Sequence, residues 1–251
     1  MSINILPLTG LTIGSVPASV IVCGDPDRAT KTADLLEDAA LLCENREYRC
    51  YTGRFAGKEV AVCSHGIGAP GAAIAFEELI AAGASRLLRV GTCGGLQPEQ
   101  KSGDLVIVTA AVDSTGYGRE TVPVGFPAAA DPLLTMSLIR AARQANQTIQ
   151  FGLALTRDNF YRGVDIAGHL NYQLMSQANV LAVEMECSPL FIVGTLRKAQ
   201  TAAILVVDGN VLATGQETMD SYKPKEQAVQ EGVETALRIA LDSLTTDDDT
   251  G

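Results

Sequence analysis

Charged side chains stand where apolar runs end at several points in this chain. In RLLRVGTCGG, Arg89 lies within an aliphatic run, two positions before Gly91. A guanidinium cannot shed its proton, so burial there demands an anionic or strongly accepting partner. Either a carboxylate of the protein or a ligand must supply it. Thr92 adds a hydroxyl and a backbone N–H beside that arginine. VLAVEMEC closes another apolar run with Glu184 and Glu186 around Met185. Carboxylates two residues apart on an extended chain face one side, and paired sugar hydroxyls would satisfy such acceptors. ILVVDGN ends a further run at Asp208. CGDPDR places Gly24 at a strand end and Arg28 one turn into a helix, where backbone N–H groups and a cation suit an anion. A capped helix with a surface arginine explains CGDPDR equally well. ENREYR reads as strand, with Arg46 and Tyr48 on one face and Glu47 and Arg49 on the other, and a plain surface strand accounts for it.

Other motifs argue for less. GIGAPG (Gly66–Gly71) fits G-x-G-x-x-G between a strand and a helix. A dinucleotide site also needs an acidic residue at the end of the next strand, and Leu88–Arg89–Val90 occupies that place. The glycines indicate only that backbone approaches something closely. Cys93 has no histidine near it in sequence, so a small residue in a tight turn is the better account. Ser64–His65 hints at hydrolase chemistry, but a lone polar turn histidine is far commoner. The six cysteines form no CxxC pair and read as reduced, buried thiols. With only two histidines, His65 and His169, a zinc site with several His ligands is excluded.

The elements that must hold these groups follow from periodicity. Short Val/Ile/Leu-rich runs alternate with helical patterns: SVIVCG then DPDRATKTADLL, a YRCYTGRF–GKEVAVCS hairpin turning at Ala56–Gly57, the helix GAAIAFEELIAAG, and the strands RLLRVG and DLVIVTAAV. DPLLTMSLIRAARQA, HLNYQLMSQA, SPLFIVGTLRKA and KEQAVQEGVETALRIALDSL read as helices, and IQFGLALT, VLAVEME and TAAILVVDG as strands. Fully apolar strands imply a sheet covered by helices on both faces, hence one α/β domain over residues 1–244. The acidic end, residues 245–251, reads as a solvated tail. No apolar run approaches a membrane span, and MSINILPLTG lacks the features of a secretory signal, so a cytoplasmic location is expected. A net charge of −10 argues against a nucleic-acid track while leaving room for a few arginines to converge on a small anion.

Taken in order, GDPDR, NREY, SHGIGAPGAAIAFEEL, LRVGTCGGLQP, VEMEC and VVDGN resemble the purine and uridine nucleoside phosphorylases of family I, the trimer-or-hexamer type. The resemblance runs from about Val20 to Asn210. It implies a single three-layer α/β domain whose central mixed sheet partly closes into a barrel with helices on both sides. It also implies phosphorolysis, in which nucleoside and phosphate give free base and ribose 1-phosphate with no cofactor beyond phosphate as co-substrate. Carried over by motif, Gly24, Arg28, Arg46, Arg89 and Thr92 hold phosphate, Arg46 reaching in from a neighbouring subunit. Met185 and Glu186, with Glu184 beside them, hold the ribose. Phe160 stacks near base or sugar, and Asp208 meets the purine N7. Asp208 and Arg89 are the expected catalytic residues. The partners implied are nucleoside, phosphate and further copies of the chain, at least a dimer.

Departures bear on the substrate. Uridine-specific members carry a Gln and an Arg shortly after the Phe-Tyr pair, where this chain has Val164 and Ile166. The family's N-terminal histidine for the 5′-hydroxyl is replaced by Leu6 and Pro7, which suits a less polar 5′ group. The usual Pro-Ser of the glycine loop is Pro70–Gly71. Glu47 is retained from a monovalent-cation site whose Ser partner is missing, so no metal is expected. The expectation is a phosphorylase favouring purine nucleosides such as inosine or guanosine. Uridine and methylthioadenosine phosphorylases are the alternatives, with a hydrolytic nucleosidase or a non-catalytic nucleoside-binding protein behind them.

Overall fold

A computed structural model of the chain describes residues 4–161, 163–164, 171–212, 222–223 and 226–246. In chain order the strands are β1 (Ser19–Cys23), β2 (Glu37–Asn45), β3 (Tyr48–Phe55), β4 (Lys58–Ser64), β5 (Arg86–Gly95), β6 (Leu105–Ser114), β7 (Ala128–Ala129), β8 (Ile149–Arg157), β9 (Val180–Glu184) and β10 (Gln200–Asn210). The helices are α1 (Pro26–Ala33), α2 (Ala69–Ala81), α3 (Gly116–Thr121), α4 (Pro132–Gln144), α5 (Tyr172–Gln177), α6 (Cys187–Arg197) and α7 (Gln227–Thr245).

All the strands join one mixed sheet. β10, β6, β8, β9 and β5 pair in that order, and β5 pairs back with β10, which closes a five-stranded barrel. The sheet then leaves the barrel from β5 through β1, β4 and β3 to the edge strand β2. The expected single α/β domain with a partly closed mixed sheet is borne out. β1, β5 and β10 run parallel at its centre, and their side chains are almost wholly buried between helices, which is why these stretches read as unbroken aliphatic runs. Two large apolar clusters line the faces. Phe76, Phe191 and Leu190 anchor one under α2 and α6, and Leu138, Ile239 and Leu241 anchor the other under α4 and α7.

Local chemistry fixes the joints that matter for function. Asp25 caps α1 by accepting from the Asp27 N–H, with Pro26 in the first turn. Ala56 and Gly57, both at positive φ, make the β3–β4 turn where the sequence placed it.

Three readings need correction. The ENREYR stretch is not one strand: Arg46, at φ 55°, and Glu47 form the turn between β2 and β3, so Arg46 is exposed while Tyr48 is buried. β2 went unread because its side chains are largely exposed and carry no alternation. Thr245 is not tail: it is the last residue of α7, buried, with its hydroxyl donating to the Leu241 carbonyl. Residues 247–251 lie outside the described residues, as does His169. No described helix is long and apolar enough to cross a membrane.

Candidate active site

A cavity of about 1330 Å³ opens at the C-terminal ends of the parallel strands. Gly24, Arg28, Arg89, Thr92, Phe160, Glu184, Met185, Glu186 and Asp208 all line it. Arg46 does not: within one chain it stands on the β2–β3 turn, facing solvent. The sheet explains the convergence. β1 delivers Gly24, and α1 then turns Arg28 inward. β5 delivers Arg89 and Thr92. β9 ends at Glu184, and β10 carries Asp208.

Asp208 owes its position to an irregularity that the sequence could not display. β10 pairs with β5 as Val207↔Cys93 and then Gly209↔Gly94, so Asp208 is an extra residue bulged out of the ladder. The bulge turns a side chain from a buried strand into the cavity. Burial pushes its carboxyl up to about 7, and a hydrogen bond from Thr92 pulls the other way. A carboxyl so placed shares or gives a proton near neutrality.

Arg89 is 3 % exposed, and the protein itself supplies partners for it. One terminal nitrogen donates to Glu186 Oε2 at 2.6 Å and lies 3.4 Å from Glu184 Oε2. The other donates to His65 Nε2 at 3.1 Å. Of the two kinds of partner that its burial admitted, carboxylates of the protein are present. Burial opposes its charge, but Glu186 and Glu184 outweigh it and hold the guanidinium above its ordinary pKa. Its Nε is buried with no hydrogen-bond partner. Gly91 is required here: a Cβ would stand 2.7 Å from the Arg89 Cζ, because the guanidinium folds over the backbone two residues on.

The two glutamates divide. Glu186 accepts from the Gly68 N–H at 2.6 Å and from Arg89, and burial raises its pKa. Gly68 can present that N–H because its φ of 91° suits glycine. Glu184 differs from the sequence reading. One of its oxygens accepts from the Thr156 hydroxyl at 2.5 Å, and the other from the Glu186 and Cys187 N–H groups at 2.7 and 2.8 Å. Its carboxylate caps the start of α6 and holds Glu186 in place, while Oε1, which accepts only from Thr156, keeps one acceptor position.

Arg28 has the opposite environment. It is half-buried, donates only to the Val90 carbonyl at 3.2 Å, and pairs with no acid among the described residues. Arg49, which sequence could not tell from it, is tied at the surface to Glu44 and Asp27.

The other end of the cavity is aromatic. Phe160 meets Tyr161 and Tyr222 edge to face, each at 5.3 Å between centroids. Arg157 lies 5.3 Å from the centroid of the Tyr172 ring. Tyr161, Tyr222 and Arg157 line the cavity too but escaped the sequence reading: the two tyrosines stand outside periodic elements, and Arg157 is the last residue of β8. Val164 is exposed, and Ile166 lies outside the described residues. Burial drives the Cys93 thiol well above its ordinary pKa, consistent with a packed small residue rather than a nucleophile. Among the described residues no group of His, Cys, Asp and Glu gathers as a metal site.

Residues 19–245 match the phosphorylase superfamily. The chain belongs to the phosphorylase superfamily. Within it, the chain is 36 % identical over 233 residues to a guanosine phosphorylase of Halorubrum lacusprofundi, covering 92 % of this chain and 95 % of that one. It is 37 % identical over 243 residues to a uridine phosphorylase of Treponema pallidum, covering 93 % and 94 %. Among solved structures, the purine nucleoside phosphorylase of Toxoplasma gondii in complex with immucillin-H superposes with a TM-score of 0.90 at 32 % identity, covering 97 % of this chain and 96 % of that one. Uridine phosphorylase from Vibrio fischeri ES114 superposes at 0.85 with 34 % identity, covering 97 % and 98 %. The family read from the motifs is thus borne out, and these superfamily relatives are pentosyltransferases that carry both purine and uridine names.

Proposed function

We propose that the protein is a phosphate-dependent nucleoside phosphorylase that favours purine nucleosides. The observation that carries this is the joint placement, in one cavity, of a guanidinium paired with no acid among the described residues and a carboxyl with a pKa near 7. Arg28, Thr92, the Gly24 turn and the unpartnered Nε of Arg89 form the anion end. Glu186 and Met185 face the sugar between the two ends, and Phe160 and Asp208 face the base.

The charge movements fit these positions. The glycosidic bond breaks with its electron pair leaving on the base, so the sugar gains oxocarbenium character. A phosphate oxygen held at the anion end stabilises that cation and then forms the new bond at C1′. The departing purine collects negative charge, and the proton on Asp208 passes to, or is shared with, its N7. Glu186 accepts from the sugar hydroxyls while Arg89 and Gly68 keep it in place. Arg46, exposed at its turn, completes the anion end of a neighbouring copy, which makes the working enzyme an oligomer. No step needs a cofactor, and a cytoplasmic location fits such an activity.

Incubation with inosine, guanosine, uridine and methylthioadenosine, with and without phosphate, tests this reading. The expected products are free purine and pentose 1-phosphate, formed only with phosphate. Cleavage indifferent to phosphate would instead mark a hydrolase. Turnover of uridine alone would remove the role given to Asp208.

A further inference from the structure

His65 is a polar side chain beside the site that the chemistry above does not use. It is fully buried at the end of β4, just before the turn into α2, with its ring edge to face on Phe76 at 5.3 Å. Its two nitrogens have unlike partners. Nδ1 lies 2.9 Å from the Gly66 carbonyl and Nε2 lies 3.1 Å from an Arg89 terminal nitrogen. A guanidinium only donates and a carbonyl only accepts, so the tautomer is determined: Nδ1 carries the proton and Nε2 the lone pair. Burial and the adjacent Arg89 charge hold the ring well below its ordinary pKa, which keeps it in that neutral form.

We propose that His65 is the positioning residue of the anion end, an uncharged acceptor that orients Arg89 without cancelling its charge. The inference rests on the reading that Arg89 meets phosphate. A carboxylate at position 65 would complete the neutralisation that Glu186 and Glu184 begin. An apolar side chain would leave a terminal N–H of Arg89 unpaired. The guanidinium would then rotate onto the two glutamates, its acidic partners among the described residues. In either case the Nε, now buried without a partner, would lose its orientation toward an anion. Imidazole combines an acceptor on one edge with a donor on the other, and a glutamine amide can imitate both.

The test compares two variants of nearly equal length, H65Q and H65M. Phosphate affinity is read directly by calorimetric titration of the apoenzyme with inorganic phosphate, and separately as the phosphate KM with inosine. H65Q should remain within about threefold of the parent in both. H65M should weaken phosphate by about twentyfold or more, while the inosine KM moves less than about threefold. If H65M does not fold, H65A replaces it, and added imidazole should restore its phosphate affinity. Equal behaviour of H65Q and H65M, or unchanged phosphate affinity in H65M or H65A, overturns the inference. A parent that binds phosphate but turns over no nucleoside would sink the proposed function and leave this test standing. A parent that binds no phosphate sinks both.

Discussion

The two ends of the cavity are built differently. The anion end stands on β1, β5 and the first turns of α1 and α2, and Arg89 and Glu186 are buried there in direct contact. The aromatic end stands on the segments that follow β8 and β10. Phe160 is 37 % exposed and Tyr161 is 77 % exposed. The ion pairs of this end are held by the sheet, so their geometry is set before any ligand arrives. Rings touching one another at the surface can shift to fit what they cover. Under the proposed function, the contrast gives reaction type to the first end and substrate choice to the second. It also explains why relatives named for purines and for uridine superpose on this chain so closely.

The largest break should come from Arg89→Ala. It removes an anion donor and also strands Glu186 and Glu184 as buried, unpaired carboxylates. Loss of one partner of a buried pair costs about 3–5 kcal/mol. Thermal unfolding should show a markedly lower midpoint, and kcat/KM should fall by about a thousandfold or more. Arg28→Ala separates the two causes, because Arg28 has no acid to strand among the described residues. Removing a charged donor from an anion site costs about 1.5–3 kcal/mol, so the phosphate KM should rise by about ten- to a hundredfold with the unfolding midpoint unchanged. A comparable loss of stability in Arg28→Ala would mean that both arginines serve the fold.

Asp208 sits where the two ends meet, and pH tests it. Its folded pKa is raised, so the group that donates is protonated below about 7 and lost above it. The inosine kcat/KM should therefore fall as pH rises through about 7. In Asp208→Asn that alkaline limb should vanish, with the inosine rate down about ten- to a hundredfold and uridine affected less. The sign for stability follows from the same shift. A carboxyl that is easier to protonate when folded costs stability as pH rises from its unfolded value toward 7. Denaturant midpoints should thus fall between about pH 4 and 7 more steeply for the parent than for Asp208→Asn.

The aromatic end should respond more gently. Phe160→Ala removes a stacking face and its two edge contacts, worth about 0.5–1.5 kcal/mol per aromatic pair. The inosine KM should rise by about three- to tenfold, with the phosphate KM unmoved. A shift in the phosphate KM of equal size would show that the ends are not separable.

This difference also governs what the sequence disclosed. Residues placed by strand ends were legible because an aliphatic run with a charge at its end has few interpretations: Arg89, Thr92, Glu186 and Asp208 all reach the cavity. What failed did so where placement depends on pairing that is invisible in one dimension. Arg46 was read as strand when it is a turn, and the bonds of Glu184 to the first amides of α6 were not foreseen. His65 was dismissed because its partner, Arg89, lies 24 positions away. Tyr161 and Tyr222 sit on loops, which give no periodic signal.

Arg46 offers the finest probe. Within one chain it belongs to neither end, since it is exposed on a turn at the sheet's edge. A side chain so placed contributes little to stability, so Arg46→Ala should leave the unfolding midpoint within experimental scatter. Should a second copy bring its own β2–β3 turn over the mouth of the cavity, the anion end gains a solvated cation, worth less than the desolvated Arg28. The phosphate KM should then rise by about three- to tenfold, below the Arg28→Ala effect. Mixing Arg46→Ala with an excess of the inactive Arg89→Ala protein should restore phosphate affinity to sites whose Arg89 is intact. Failure of that complementation, or a solution mass equal to a single chain, would confine the anion end to residues of one chain.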